Sequence, residues 1–421
     1  MKFFERHFPL PGWILKGIRA RVLTPHMLTI GAETRAAMAS ARTAEAPVID
    51  PMGIPESAVL QTRLFKPEHV QFKPIDADID NIQLLDNQVV FVPQSFILNK
   101  YILYYNRAYL RTNIDGFVDP DGELNSSSFK TIPAWGISYV YRSNHPDIIE
   151  GTAYHGFFPI SPYSVRSVEN VNPGEGTALQ RLPKFGGPRE WLRLVKTDDH
   201  SEFVADLFEY FKIGITFAGA LRDIDYYDAE QLVFSSASSA SAQIIAMCVK
   251  ELRPDFKIIG LTSPRNLEMV KGFSYFDEVY TYDDIASSDG GKSTLYFDAL
   301  GTESVSLSCF ENYRSIKRWW IYGQGGEKSQ STFLKINRRG TLYANLIDSY
   351  LYANRHGISD RDILDTSEAL NKKHDLERRW GTGYRTISTP RELYELYTGF
   401  INNTHPSGER VQYVSPLMKR K

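Results

Sequence analysis

From about Asp228 to Gly326 short apolar runs alternate with amphipathic ones. The runs Gln231 to Ser235, Lys257 to Leu261, Glu278 to Tyr282, Thr294 to Ala299 and Lys317 to Tyr322 are rich in β-branched and aromatic residues and predict strands. Between them Ala240 to Lys250, Arg265 to Gly272 and Glu303 to Tyr313 predict helices. Strands that alternate with helices pair in parallel, and the fixed hand of each crossover leads to a doubly wound sheet.

The preceding part has a different pattern. Gln61 to Lys66, Gln88 to Pro93 and Gly136 to Arg142 predict strands, while Asp119 to Gly122 and Asn125 to Ser128 are turn signals. Val171 to Gly176 and onward to Lys184 to Pro188 reads as a loop, and Ser201 to Leu221 carries helical spacing. After Gly326 helices are expected over Leu342 to Arg355, Arg361 to Arg379 and Pro390 to Ile401, with a last strand at Arg410 to Val414. Residues 43 to 60 are rich in Ala, Pro and Glu and read as a linker. The expected organisation is an extension and linker over 1–59, a β-rich domain over 60–225, a nucleotide-binding domain over 226–326 and a returning helical segment over 327–421.

Composition narrows the function classes. The 48 basic and 50 acidic residues leave a formal charge of −2, which gives no drive toward nucleic acid. Two cysteines, Cys248 and Cys309, exclude a disulfide framework and a Cys-rich zinc site; they read as buried inert thiols. His145 and His155 sit in turn-like contexts without a ligand partner at helical spacing, so no metal is expected. No run is long and apolar enough to span a bilayer. The first 42 residues carry seven basic side chains (Lys2, Arg6, Lys16, Arg19, Arg21, Arg35, Arg42) against Glu5 and Glu33. That bias reads either as an organelle transit peptide, implying a mitochondrial rather than cytoplasmic protein, or as an arm that docks on a partner, a second copy or the body of the protein.

The chemistry concentrates after the first strand of the alternating part. Ser236, Ala237, Ser238 and Ser239 are small enough to let a pyrophosphate approach the backbone at a helix start, although the glycine pattern of such turns is missing. The same residues fit an ordinary tight turn with a serine cap. After the second strand stand Thr262, Ser263 and Arg265, with no carboxylate to hold ribose hydroxyls. Two hydroxyls and a cation suit a 2′-phosphate, so a bound nucleotide would be NADP(H); Ser263 and Pro264 equally suit a helix opening. Gly290 to Thr294 imitates a phosphate loop but runs into a strand, and reads as a solvated loop.

The succession Ser235-Ser-Ala-Ser-Ser239, Ile259-Gly-Leu-Thr-Ser-Pro-Arg-Asn266 and Phe276-Asp-Glu-Val-Tyr-Thr-Tyr-Asp283 resembles the domain-of-unknown-function 2855 family, with upstream agreement at Ile132 to Gly136, Tyr154 to Pro159 and Ala205 to Glu209. That family resembles zinc-free quinone and enoyl reductases. The resemblance implies an α/β protein of medium-chain reductase architecture: a GroES-like β domain plus a Rossmann doubly wound parallel sheet. It further implies Tyr282, Gly301 and Gly323 as cofactor-facing positions, and Asn99 or Tyr104 near the nicotinamide. Where the family places Lys-Thr after the serines, this chain has Ala240-Ser241. Two readings stay open: an NADPH-dependent reductase of a small-molecule alkene, quinone or carbonyl, and a non-catalytic accessory subunit of an organellar assembly.

Overall fold

The computed structural model describes residues 45–420 apart from 64–65, 77, 100–101, 104–128, 182–191, 199, 322–346, 381–383, 403 and 406–409. The turn signals at 119–122 and 125–128, the segment 184–188 and the start of the helix expected from Leu342 lie outside the described residues.

The first part is built of strands β1 (Ala58–Arg63), β2 (Lys66–Pro74), β3 (Gln88–Leu98), β4 (Phe129–Thr131), β5 (Pro133–Ser143), β6 (Ala153–Pro159), β7 (Ser164–Asn172), β8 (Thr177–Gln180) and β9 (Arg193–Lys196). Helices α1 (Glu202–Asp206) and α2 (Phe208–Asp223) lead out of it. The alternating part follows as β10 (Gln231–Ser235), α3 (Ala240–Leu252), β11 (Lys257–Thr262), α4 (Leu267–Lys271), β12 (Glu278–Thr281), β13 (Ser293–Asp298), α5 (Glu303–Asn312) and β14 (Ser315–Ile321). The chain closes with α6 (Ile347–His356), α7 (Asp360–His374), α8 (Leu376–Arg379), β15 (Tyr384–Ile387), α9 (Pro390–Asn402) and β16 (Arg410–Tyr413).

Strands β3, β5, β6, β9, β8 and β7 pair in that order, and β7 pairs back onto β3, which closes a small antiparallel barrel. The far end of β3 is taken by β16, with Gln412 opposite Ile97, so the last strand of the chain joins the first part. Inward residues such as Val89, Phe91, Phe96, Val140, Phe158 and Leu194 fill the barrel, and α9 packs Leu393, Leu396 and Tyr397 against the same core.

The alternating part is a five-stranded parallel sheet of order β12-β11-β10-β13-β14. Its central strand shows why both faces are covered. Leu232 and Phe234 point into one apolar core, and Val233 points into another with Ile259, Leu261 and Tyr296. Helices α2 and α3 cover the first face. They approach closely because α2 offers Gly214 there: a Cβ on it would come within 2.9 Å of the Ile244 side chain. Helix α5 covers the second face with Val305, Cys309 and Phe310. Both cysteines are buried, and burial pushes the Cys248 thiol up, as an inert core thiol requires.

Several expected boundaries move. The strand expected at Gln61 to Lys66 is the end of β1 and the start of β2. The segment read as a loop from Val171 holds the end of β7 and β8, whose half-buried pattern mixes polar residues into the barrel wall. His155 lies in strand β6, not in a turn, with its ring stacked on Trp135. The helix expected over Arg361 to Arg379 is broken at Asp375, whose φ of 51° is left-handed. The expected second strand of the alternating part runs one residue further, to Thr262, which pairs with Thr281.

Candidate nucleotide crevice

The serine turn lies at the carboxyl end of the central strand. Ser236 takes a left-handed φ of 54°, Ser239 caps α3 by accepting from the Ala242 N–H, and Ser238, Ser239 and Ala240 are half-buried. Ala237 is buried and donates its N–H to the Leu261 carbonyl at 2.9 Å, which stitches the turn to β11. Only a glycine fits beneath it, because a Cβ on Gly260 would sit 2.9 Å from the Ala237 Cβ. The Ser236 N–H donates to the Tyr282 hydroxyl at 3.2 Å. Burial pushes that phenol up to about 12, against the Ser236 hydrogen bond. The Ser238 hydroxyl accepts from Asn266 Nδ2 at 3.1 Å, and its carbonyl accepts from Gln243 Nε2 at 3.0 Å. Among the described residues no group accepts from the N–H of Ser238, Ala240 or Ser241. Amides without an acceptor among the described residues at a helix start, with the dipole behind them, are the arrangement that suits an anion.

The other expected residues divide. Arg265 is exposed and makes no ion pair with any described residue, and Ser263 is half-buried with an unpartnered hydroxyl. Thr262 ends β11 and is fully buried, and its hydroxyl has no hydrogen-bond partner among the described residues. Gly301 has a φ of 76° and is buried; its N–H donates inward to Asp298. Tyr104 and Gly323 lie outside the described residues.

Asp298 was not singled out by the sequence and joins the two turns of the crevice. It ends β13 and is fully buried. Its Oδ1 accepts from the Ser235 hydroxyl and the Gly301 N–H, each at 2.9 Å, and its Oδ2 accepts from the Ser306 hydroxyl at 2.7 Å. The Leu300 N–H in turn donates to Ser235 Oγ at 2.9 Å.

On the opposite side Asn99, just past the end of β3, donates from Nδ2 to the hydroxyl of Tyr210 on α2 at 2.8 Å. One helical turn earlier Asp206 accepts from Ser95 at 2.8 Å, and Gln412 Nε2 donates to that serine at 2.8 Å. This polar row joins the barrel to the helices that lead into the parallel sheet. Burial holds the Asp206 carboxyl well above the usual carboxylate range, Ser95 works against it, and Glu202 adds to it. Its other oxygen has no partner among the described residues. As pH rises past the ordinary carboxylate value the unfolded chain ionises while the folded chain keeps this proton, so the group erodes stability until its folded pKa is passed. Asp206→Asn is therefore expected to raise the thermal midpoint at mildly alkaline pH and leave it unchanged in acid. Equal midpoints at both pH values show that Asp206 is ionised in the fold.

The orientation of α2 follows from connectivity. Helices α2 and α3 each run by a short connection into a strand, β10 or β11, and those strands are parallel. Both helices therefore run from the carboxyl edge of the sheet to its amino edge. Gly214 faces Ile244, so Tyr210, four residues before Gly214, stands level with Ala240, four residues before Ile244. The serine turn and the Asn99–Tyr210 pair open on the same edge.

Behind this edge Asp360, the first residue of α7, accepts from Lys212 Nζ of α2 and from Arg193 of β9, each at 2.6 Å. Burial drives the nearby His155 down to about 3, and Lys212 adds to this, so the imidazole stays neutral. Among the described residues no three His, Cys, Asp or Glu side chains group to hold a metal, and no helix is long and apolar enough to cross a membrane.

A closed barrel, a parallel sheet with crossover helices, and a last strand returned to the barrel define the medium-chain reductase fold. Solved structures of this fold include CurA in complex with NADPH from Vibrio vulnificus (12% identity, 85% of this chain and 98% of that chain, TM-score 0.55). A quinone oxidoreductase of Pseudomonas syringae pv. tomato DC3000 is similar at 14% identity over 85% and 99%, with a TM-score of 0.54. The Etr1p/NADP/crotonyl-CoA complex is similar at 12% over 85% and 99%, with a TM-score of 0.56. Residues 115–332, just over half of the chain, match the model described as Protein of unknown function (DUF2855), and the chain belongs to that family. No curated protein matches its sequence.

Proposed function

We propose that the chain is a zinc-independent, NADPH-dependent reductase of an activated alkene, a quinone or a carbonyl compound. The observation that carries this reading is the set of amides at Ser238, Ala240 and Ser241 that no described residue accepts from, beside the turn after β11, which Asn266 ties to Ser238 and where Arg265 makes no ion pair with any described residue. The turn would hold the pyrophosphate, and Ser263 and Arg265 would hold the 2′-phosphate. When bound, the nicotinamide supplies a hydride. The chain supplies orientation, shielding from water and a polar partner at Asn99. The solved neighbours that carry NADPH or NADP support the choice of cofactor.

Titration of the protein with NADPH and NADH, followed by intrinsic fluorescence, tests the reading. NADPH is expected to bind more tightly than NADH, and Arg265→Glu to weaken NADPH by about tenfold or more, as loss of a charge-assisted contact does. Absence of NADPH binding at about millimolar concentration, weak for such a site, refutes it. The second reading, an accessory subunit that keeps the fold, rests on Ala240 standing where the family has lysine. It predicts co-purification in a larger assembly without turnover of NADPH.

A further inference from the structure

The start of α2 presents a phenol whose proton has no acceptor among the described residues. Tyr210 accepts from Asn99 Nδ2 at 2.8 Å. An amide N–H only donates, so this bond occupies a lone pair of the phenol oxygen and leaves its O–H unused. No described residue accepts that proton. The contact also fixes the phenol in place, because it ties the barrel end of β3 to a helix on the parallel sheet. Tyr210 is half-buried and level with the start of α3, where the amides of the serine turn stand. Burial pushes the phenol up to about 12, against the Asn99 bond, so it holds its proton at neutral pH.

We propose that Tyr210 is the proton donor of the reaction, oriented by Asn99, and that its substrate is an electron-poor alkene or quinone whose oxygen becomes anionic during reduction. This rests on the reductase reading and moves the donor from the segment around Asn99 to helix α2. The step balances as follows. The acceptor takes a hydride, its C=C electron pair shifts toward the conjugated carbonyl, and an enolate forms. The Tyr210 O–H bond breaks and the proton passes to that enolate. The phenolate left on Tyr210 recovers a proton from water, while Asn99 Nδ2 stabilises the negative oxygen.

The test uses the full chain, wild type and Tyr210→Phe, with para-nitrophenolate as a stable oxyanion probe in the presence of NADP+. Tyr210→Phe is expected to weaken probe binding roughly tenfold. It is also expected to slow NADPH-dependent reduction of cyclohexenone by about 10²-fold, with the affinity for NADPH unchanged. Asn99→Asp turns the partner into an acceptor that captures the phenol proton, and a similar loss is expected. Equal probe affinity in wild type and Tyr210→Phe, or no affinity in wild type, overturns the proposal, as does wild-type behaviour of Asn99→Asp. NADPH binding measured in the same samples separates the two ideas. Binding without a Tyr210 effect removes the donor and keeps the reductase; no binding removes both.

Discussion

Asp298→Ala is expected to destabilise the protein by about 3–5 kcal/mol, since each buried donor left without an acceptor costs about 1–3 kcal/mol. The substitution strands the Ser235 hydroxyl and the Gly301 N–H in a place where water does not replace the lost acceptor, because Asp298 is fully buried, while the Ser306 hydroxyl keeps the Thr302 carbonyl at 3.1 Å. The loss has a second consequence. Ser235 precedes the serine turn and Gly301 follows β13, so both turns at the crevice lose a common anchor. Asp298→Asn keeps the size and one carbonyl oxygen, so it is expected to cost less, about 1–2 kcal/mol. Urea unfolding of the two variants measures the order. An alanine variant as stable as wild type shows that the hub is not formed in solution.

Asp360→Ala is expected to cost about 3–5 kcal/mol, the range for breaking a buried pair by removing one partner. Lys212 would be left charged with 6% of its side chain exposed. Arg193 is 39% exposed and regains water, so its share of the loss is small. Replacing Lys212 by Met together with Asp360→Leu removes both charges and is expected to recover much of the loss. The pH dependence has a definite sign. Burial alone raises the Asp360 carboxyl, but Lys212 and then Arg193 reverse this and leave it below the ordinary value. Its contribution is therefore complete above the unfolded carboxylate pKa and is lost as pH falls toward the folded one. Asp206 slopes the other way, so acid unfolding of Asp206→Asn and Asp360→Ala separates the two carboxylates.

The parts of the fold that the chain announces are those with local cause. Strand β10 and the start of α3 stand where the apolar run Gln231 to Ser235 and the capping Ser239 place them. A continuous apolar run bounded by small residues leaves few alternatives. The barrel wall is harder to read. In β7, Ser164–Asn172, only Arg166 and Val168 are buried, so no clean alternation marks it. The break at Asp375 is silent because an aspartate, not a glycine, takes the left-handed position. The site divides in the same way. The serine turn is local and legible. Tyr210 meets Asn99 across 111 residues, Asp298 meets Ser235 across 63, and Asp360 meets Lys212 across 148. Such pairs carry no periodicity, and a buried carboxylate among apolar neighbours looks like any surface one until its partners are known.

The return of β16 to β3 has a consequence for biosynthesis. Val411, Gln412 and Tyr413 pair with Leu98, Ile97 and Phe96. During translation more than three hundred residues emerge after β3 before its partner does. Throughout that time the far end of β3 is a bare strand edge, the kind of surface to which other chains add. The parallel sheet, whose strands lie within 91 consecutive residues from Gln231 to Ile321, closes earlier. A nascent chain halted short of residue 410 would thus carry a finished parallel sheet beside an open barrel edge, the form in which chaperone dependence and aggregation would be greatest.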